Sequence, residues 1–228
     1  MSGQGSRLLL IGAPGAGKGT QAALLSKTLG VPHISTGDMF RAAKAMGSPM
    51  GVMARKYMER GALVPDKVTI GIVEERLQQP DASDGWILDG FPRTPGQARA
   101  LDELLARLGQ SLDAVVKLTV PRDELIRRLT GRRVCPQCGA NYHLDSAPPA
   151  HAGICDRCGH QLEQREDDSE QTVMHRLDVY HESTRPLIAF YEKKGVLHRV
   201  DGTLPVGKVN TAIVAALRAP AAAPVKAS

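Results

Sequence analysis

One stretch constrains this chain more than any other: Gly12-Ala13-Pro14-Gly15-Ala16-Gly17-Lys18-Gly19-Thr20, set between the apolar run Leu8-Leu9-Leu10-Ile11 and a segment with helical patterning. Glycines at this density let a backbone wrap around an anion with its N–H groups turned inward, and a helix that follows adds the positive end of its dipole. Lys18 then brings a mobile ammonium to the outer phosphates. A strand, a glycine-rich turn and a helix from about Lys18 to Leu29, with Ala22, Ala23 and Leu25 on its inner face, together predict a phosphate cradle. Gly19 stands where such loops ordinarily carry a hydroxyl, and Thr20 comes one residue later, which weakens the case for direct Mg²⁺ ligation by a protein hydroxyl.

Further apolar runs at Trp86-Ile87-Leu88, at Val115-Val116-Lys117-Leu118 and at Val196-Leu197 leading to Val200 read as buried parallel strands. Helical patterning separates them, over Asp66 to Gln79, Pro95 to Leu108 and Glu170 to Lys194. This alternation predicts an α/β fold, a mostly parallel sheet covered by helices on both faces. Residues 35–64 read as short helices with no strand partner. Residues 131–168 hold all four cysteines, Gly139, Gly153, Gly159 and Pro148-Pro149. The expected division is therefore a core of residues 1–34, 65–130 and 169–228 with two inserts, 35–64 and 131–168. The ends, Met1 to Ser6 and Ala219 to Ser228, are too small-residue and proline-rich to be expected to order themselves.

Composition excludes several classes. With 42% hydrophobic and 23% charged residues the chain has the balance of an ordinary globular protein. No apolar run approaches the roughly 18 residues of a spanning helix, and the run after Arg7 is too short for an export signal, so a cytoplasmic protein without membrane association is expected. The net charge of +5 is mild for a nucleic-acid binder, and 4% aromatics are too few for a surface that stacks many bases.

The cysteines fall in two identical spacings, Cys135-Pro136-Gln137-Cys138-Gly139 and Cys155-Asp156-Arg157-Cys158-Gly159. Both pairs fit around one tetrahedral ion, with a glycine after each to allow the tight turn. Four thiolates leave no open position for water, so the expected ion is a structural Zn²⁺. Disulfides are disfavoured in a chain with no export signal, and a redox motif because neither pair is expected to follow a strand and open a helix. His143, His151 and His160 lie nearby and read as surface histidines. At the end of the second apolar run, Asp89 could hold Mg²⁺ through water at the mouth of the sheet, and Arg93 close behind it suits a phosphate clamp.

Taken in order, the glycine-rich loop, Ile34-Ser35-Thr36-Gly37-Asp38-Met39 with Arg41, and Asp89-Gly90-Phe91-Pro92-Arg93-Thr94 closely resemble the adenylate kinase family. The resemblance covers nearly all of residues 7–217, through Gly131-Arg132-Arg133-Val134, Arg165-Glu166-Asp167-Asp168, Arg176 and Val200-Asp201-Gly202-Thr203. It implies a P-loop core with two mobile inserts, one over the nucleoside monophosphate and a zinc-containing lid over ATP. Gly15, Ala16, Gly17, Lys18, Gly19 and Thr20 would cradle the ATP phosphates. Arg128 and Arg132 would close on ATP from the lid, with Asn141, Tyr142 and the backbone of Leu204 near its adenine. Thr36, Arg41, Gly90, Phe91, Pro92, Arg93 and Gln97 would hold AMP, with Ala62, Leu63 and Val64 near its adenine and ribose. Arg165 and Arg176 would approach the phosphates as the lid shuts, which makes Lys18, Arg93, Arg132, Arg165 and Arg176 the implied catalytic set. The implied activity is reversible, Mg²⁺-dependent transfer of the ATP γ-phosphoryl group to AMP, giving two ADP, by a monomer.

Simple chemistry agrees with that cast. An AMP phosphate oxygen is already ionised at neutral pH, so alignment and charge stabilisation suffice, and arginines supply both. Asp167 and Asp168 then read as hinge or arginine-positioning carboxylates rather than bases. Two other readings compete: a related kinase acting on UMP or CMP, and a nucleotide-sensing zinc-ribbon protein that binds nucleic acid. Thr36, Gln97 and the long lid match the adenine-specific relatives. Residues 127–168 carry six arginines against six carboxylates, which is no basic footprint.

Overall fold

A computed structural model describes residues 6–218, so the expectations for the tails at 1–5 and 219–228 fall outside the described residues. The core is a five-stranded parallel sheet of β1 (Arg7–Ile11), β2 (His33–Ser35), β3 (Trp86–Asp89), β4 (Ala114–Thr119) and, last in the chain, β7 (Leu197–Asp201), in the spatial order β2-β3-β1-β4-β7. β1, β3 and β4 are apolar with little alternation because helices cover both faces, while the edge strand β7 buries only Leu197 and Val200. Leu9, Trp86, Leu88 and Val115 pack on one side with Leu187 and Tyr191, while Leu8, Leu10, Ile87 and Val116 pack on the other with Ala22, Leu25 and Ile213. Four strands were legible as apolar runs; β2 was not, because Ile34 is its one buried residue and its place is fixed by pairing Ile34 with Leu88.

The helices are α1 (Lys18–Leu29), α2 (Thr36–Ala45), α3 (Pro49–Met58), α4 (Asp66–Leu77), α5 (Pro95–Arg107), α6 (Arg122–Thr130), α7 (Glu170–Val179), α8 (Leu187–Lys193) and α9 (Val206–Arg218). Their starts carry the expected chemistry: Ser35, Ser48, Thr94 and Ser169 each accept a backbone N–H with the side chain. The single helix expected over 170–194 is interrupted. Tyr180–Thr184 forms a π-helical turn, closed by Arg185 N–H donating to the Tyr180 carbonyl at 2.9 Å, and Pro186 follows with no N–H to continue the ladder. Among the described residues no helix is long and apolar enough to cross a membrane.

Residues 36–58 form the packed pair of short helices α2 and α3 outside the sheet, as their lack of strand patterning implied. The cysteine segment is built on a small antiparallel pair, β5 (Arg132–Val134) and β6 (Asn141–His143), with an added bridge from Val134 to Glu163. Chain topology then locates the site. After β1 the chain moves to β2 on one flank, while β4 lies on the other, so a crevice opens at the C-terminal end of β1 where the glycine-rich loop sits.

Candidate active site

The loop after β1 bends through Gly15 and Gly17, both in the left-handed region at φ 83° and 92°, and then enters α1 directly. Lys18 folds back over it, its Nζ donating to the carbonyls of Gly12 at 2.8 Å and Ala13 at 3.1 Å. Burial pushes the Lys18 ammonium down to about 8, with Arg93, Arg176 and Arg132 adding to the effect and Asp89 opposing it. Gly19 and Thr20 are exposed on the first turn of α1, where an anion would meet free N–H groups.

Asp89 closes β3 opposite the loop, with Oδ2 3.4 Å from where a Cβ on Gly19 would stand and 3.6 Å from Nε2 of His33. Burial alone would raise the Asp89 pKa, but neighbouring His33 and the fields of Lys18 and Arg93 hold it below the ordinary aspartate value. It is therefore an ionised oxygen donor facing the loop, which suits a hard cation held through water. The strand's end turns at Gly90, whose φ of +81° and approach to Thr36 Oγ1 leave no space for a Cβ. Thr36 donates to the Gly90 carbonyl at 2.9 Å, and Arg93 Nε donates to the same oxygen at 2.8 Å. Gln97 is almost wholly buried, accepting from Arg93 N–H at 2.7 Å and donating to Asp66 at 2.7 Å. Two of its bonds thus fix the Arg93 turn.

The remaining arginines converge on the same crevice. Asp168, fully buried, receives Arg132 Nε at 2.7 Å and Nη2 at 2.6 Å, and Arg176 Nη1 at 2.9 Å. Arg176 also pairs with Asp167 at 3.1 Å. Arg165 is driven down to about 10, by burial first and then by Arg132 and Arg41; Arg93 is lowered by burial and Arg176. Lys18, Arg41, Arg93, Arg132, Arg165 and Arg176 therefore share one field, which acts on the charge of Lys18, Arg93 and Arg165. Such a cluster is complementary to a polyanion.

The comparisons agree with this geometry. The adenylate kinase family profile matches residues 10–196. The chain belongs to the adenylate kinase family. An adenylate kinase of Geobacillus sp. is 56% identical over 202 residues, covering 89% of this chain and 94% of its own. Adenylate kinases of Moorella thermoacetica (56% over 211 residues, 92% and 97% of the two chains) and Archaeoglobus fulgidus (56% over 196 residues, 86% and 90%) are similarly near.

Other residues expected from the adenylate kinase resemblance lie further out. Arg128 donates to Glu124 at 2.7 Å and to the Gly202 carbonyl at 2.9 Å, two residues before the exposed Leu204. Val64 is buried, with Ala62 and Leu63 half-buried beside it, and Phe91 is buried next to Pro92. Asn141 accepts from Arg165 at 3.4 Å. Tyr142 turns its hydroxyl to Cys155 Sγ at 3.5 Å and accepts the Asp156 N–H at 2.8 Å, so that group is committed within the lid.

The sulfurs of Cys135, Cys138, Cys155 and Cys158 all lie within 4.8 Å of one another, with closest pairs at 3.4 Å and 3.5 Å. A tetrahedral Zn²⁺ with bonds of about 2.3 Å spaces its sulfurs by about 3.8 Å, which this set accommodates, while a disulfide needs about 2.05 Å. All four are free thiols, and Gly139 and Gly159 turn with φ 69° and 72°. Cys135 follows a strand, β5, but a turn and not a helix comes next, so neither pair both follows a strand and opens a helix. One expectation needs correcting. His143 is buried rather than on the surface, because its ring accepts the N–H groups of Asp145 and Ser146 and lies 3.2 Å from the Arg127 carbonyl; His151 and His160 are exposed. Sequence reasoning passed over Lys44 on α2, which meets Glu166 at the lid root at 2.5 Å and Glu59 after α3 at 3.9 Å. It also passed over His33 beside Asp89, since a lone lysine and a lone histidine carry no pattern.

Proposed function

We propose that the chain catalyses reversible transfer of the ATP γ-phosphoryl group to AMP, giving two ADP. The observation that carries this reading is the shared field of Lys18, Arg41, Arg93, Arg132, Arg165 and Arg176 around a glycine-rich loop. The loop from Gly15 to Thr20 holds the ATP phosphates. Arg41, Arg93 and Thr36 orient the AMP phosphate, with Gln97 steadying Arg93. Lys18, Arg132, Arg165 and Arg176 stabilise charge that spreads as the phosphoryl group passes between two oxygens. Residues 35–64 and 131–168 act as the two inserts that exclude water, which would otherwise compete as acceptor. Mg²⁺ entering with ATP neutralises phosphate charge when bound, and Asp89 is the residue that would reach its water shell. The four cysteines hold a structural Zn²⁺ with no open position. Four cysteines gathered as one tetrahedral set rather than as bonded pairs fit a reducing cytoplasm. Phe91, Pro92 and the Ala62 to Val64 backbone supply the apolar and hydrogen-bonding surroundings of the monophosphate.

A coupled assay of the purified chain with ATP and each of AMP, UMP, CMP and GMP tests this. AMP is expected to exceed the others in kcat/KM by at least tenfold. A preference for UMP or CMP moves the chain to the related kinases, and no turnover with any monophosphate removes the kinase reading.

A further inference from the structure

The described residues line a half-open cavity beside the phosphate loop. It has a volume of about 260 Å³ and lies between the end of β4, the first turn of α6 and the π-helical turn after α7. Its floor is apolar, through Leu125 and Ile188, while Lys117, Arg122, His181 and Arg185 stand on its walls without any carboxylate. Of the glycine-rich loop only Ala13 reaches it, and none of the residues assigned to ATP, AMP or metal does.

Charge in this cavity is unbalanced. Arg122 is paired with Asp178 at 2.9 Å. Among the described residues, Lys117 and Arg185 have no carboxylate within 4 Å; Arg185 donates instead to the His181 ring at 3.1 Å. Lys117 lies across from Arg199 in the β4–β7 pairing, and Glu192 is already engaged by that arginine. Burial, with Arg199 and Arg185, lowers the Lys117 pKa against the pull of Glu192. A half-buried ammonium without a partner and surrounded by like charge is held at a cost, which a bound anion would offset. The π-helical turn is a second sign. It breaks the regular hydrogen-bond ladder, is common where helices carry function, and here sets His181 and Arg185 on one wall.

We propose that this cavity binds a small polyanion of the phosphate class, with Lys117 and Arg185 as its main contacts. Sites that enclose drug-sized molecules run to about 300–1,000 Å³, so this one suits a compact anion better than a whole nucleotide. The apolar floor leaves little to compete with the cations for it.

The test uses the full chain saturated with a bisubstrate analogue, two adenosines joined through phosphates, whose own binding is measured first so that the phosphate loop is known to be filled. Inorganic pyrophosphate is then titrated by calorimetry and amide NMR. Saturable binding is expected, with shifts centred on residues 117–120 and 180–185, and ADP is expected to bind more weakly. Lys117→Met and Arg185→Gln should each weaken pyrophosphate binding at least tenfold while leaving turnover unchanged. Lys117→Met removes a half-buried charge and Arg185→Gln alters an exposed side chain, so both variants should fold. No saturable binding, binding undiminished in either variant, or binding of ADP alone overturns the proposal.

Discussion

Asp168→Asn keeps the shape of the side chain and deletes its charge, and the surroundings let the cost be worked out. The carboxylate is wholly buried and takes three charged N–H donors, two from Arg132 and one from Arg176, whose side chains are 20% and 16% exposed. Removing one partner of a buried ion pair typically costs about 3–5 kcal/mol, because the other charge is left without compensation. Both arginines reach water in the crevice, which points to the lower end, about 3 kcal/mol. In a chain of this size about 1 kcal/mol corresponds to roughly 2–4 °C, so the melting temperature should fall by about 6–12 °C when unfolding is cooperative. Arg132 opens β5 and Arg176 sits in α7, so the lost charge also frees the root of the cysteine segment from the core. Turnover should then drop more than KM rises, since both arginines lose their alignment. Scanning calorimetry at pH 7 and initial-rate kinetics on the same preparation measure both effects. A fall of under about 2 °C together with unchanged kcat would refute the idea that Asp168 sets the arginines.

Lys18→Ala should lower kcat by about 10³-fold in a folded protein, the scale on which phosphate-clamping cations act; retention of a tenth of wild-type turnover contradicts the role. Because burial holds Lys18 at about 8 against an unfolded value of 10.5, the charged form penalises folding below pH 8. Stability of the ligand-free chain should gain from this group as pH rises from about 8 to 10.5, and Lys18→Met should have the higher urea midpoint at pH 7, a gap that closes above pH 10.5. Cys135→Ser with Cys138→Ser should abolish stoichiometric zinc and lower the melting temperature, yet leave Mg²⁺-dependent turnover at low temperature; a folded, nucleotide-binding but inactive product would show the metal to be catalytic. Arg93→Lys should raise KM for AMP at least tenfold more than KM for ATP, as a point charge replaces a fork; equal changes in the two constants would place Arg93 elsewhere.

Much of this molecule was legible because its decisive features are local and repeated. The loop from Gly12 to Thr20 carries its own conformational requirements, and two C-x-x-C pairs specify a tetrahedral set wherever they meet. Strands β1, β3 and β4 announced themselves as near-continuous apolar runs, since burial on both faces leaves little alternation to disguise, and β7 showed through Val196-Leu197 and Val200. What escaped notice depends on partners far away in the chain. His33–Ser35 is a strand only because β3 offers an edge to pair with. The break at Tyr180–Thr184 has no composition signature apart from Pro186, which fixes where the next helix starts and not how the previous one ends. His143 is held under the Arg127 carbonyl, 16 residues earlier on α6, as well as by the N–H groups of Asp145 and Ser146 just after it. The arginines were each recognisable by motif, but the field that lowers Lys18, Arg93 and Arg165 emerges only when the chain brings them beside Arg132 and Arg176.

The bridge from Lys44 to Glu166 ties α2 to the root of the cysteine segment, so motion of the two inserts proposed above would not run on independent free-energy surfaces. Any ligand that draws one of them across this contact alters the stability of the other, and thermodynamic linkage makes the influence equal in both directions: whatever AMP does to ATP affinity through this bridge, ATP does to AMP affinity. The two side chains are 32% and 60% exposed. A pair that wet is worth at most about 1 kcal/mol, so the reciprocal effect carried by it has a ceiling of roughly fivefold, and salt should erase it.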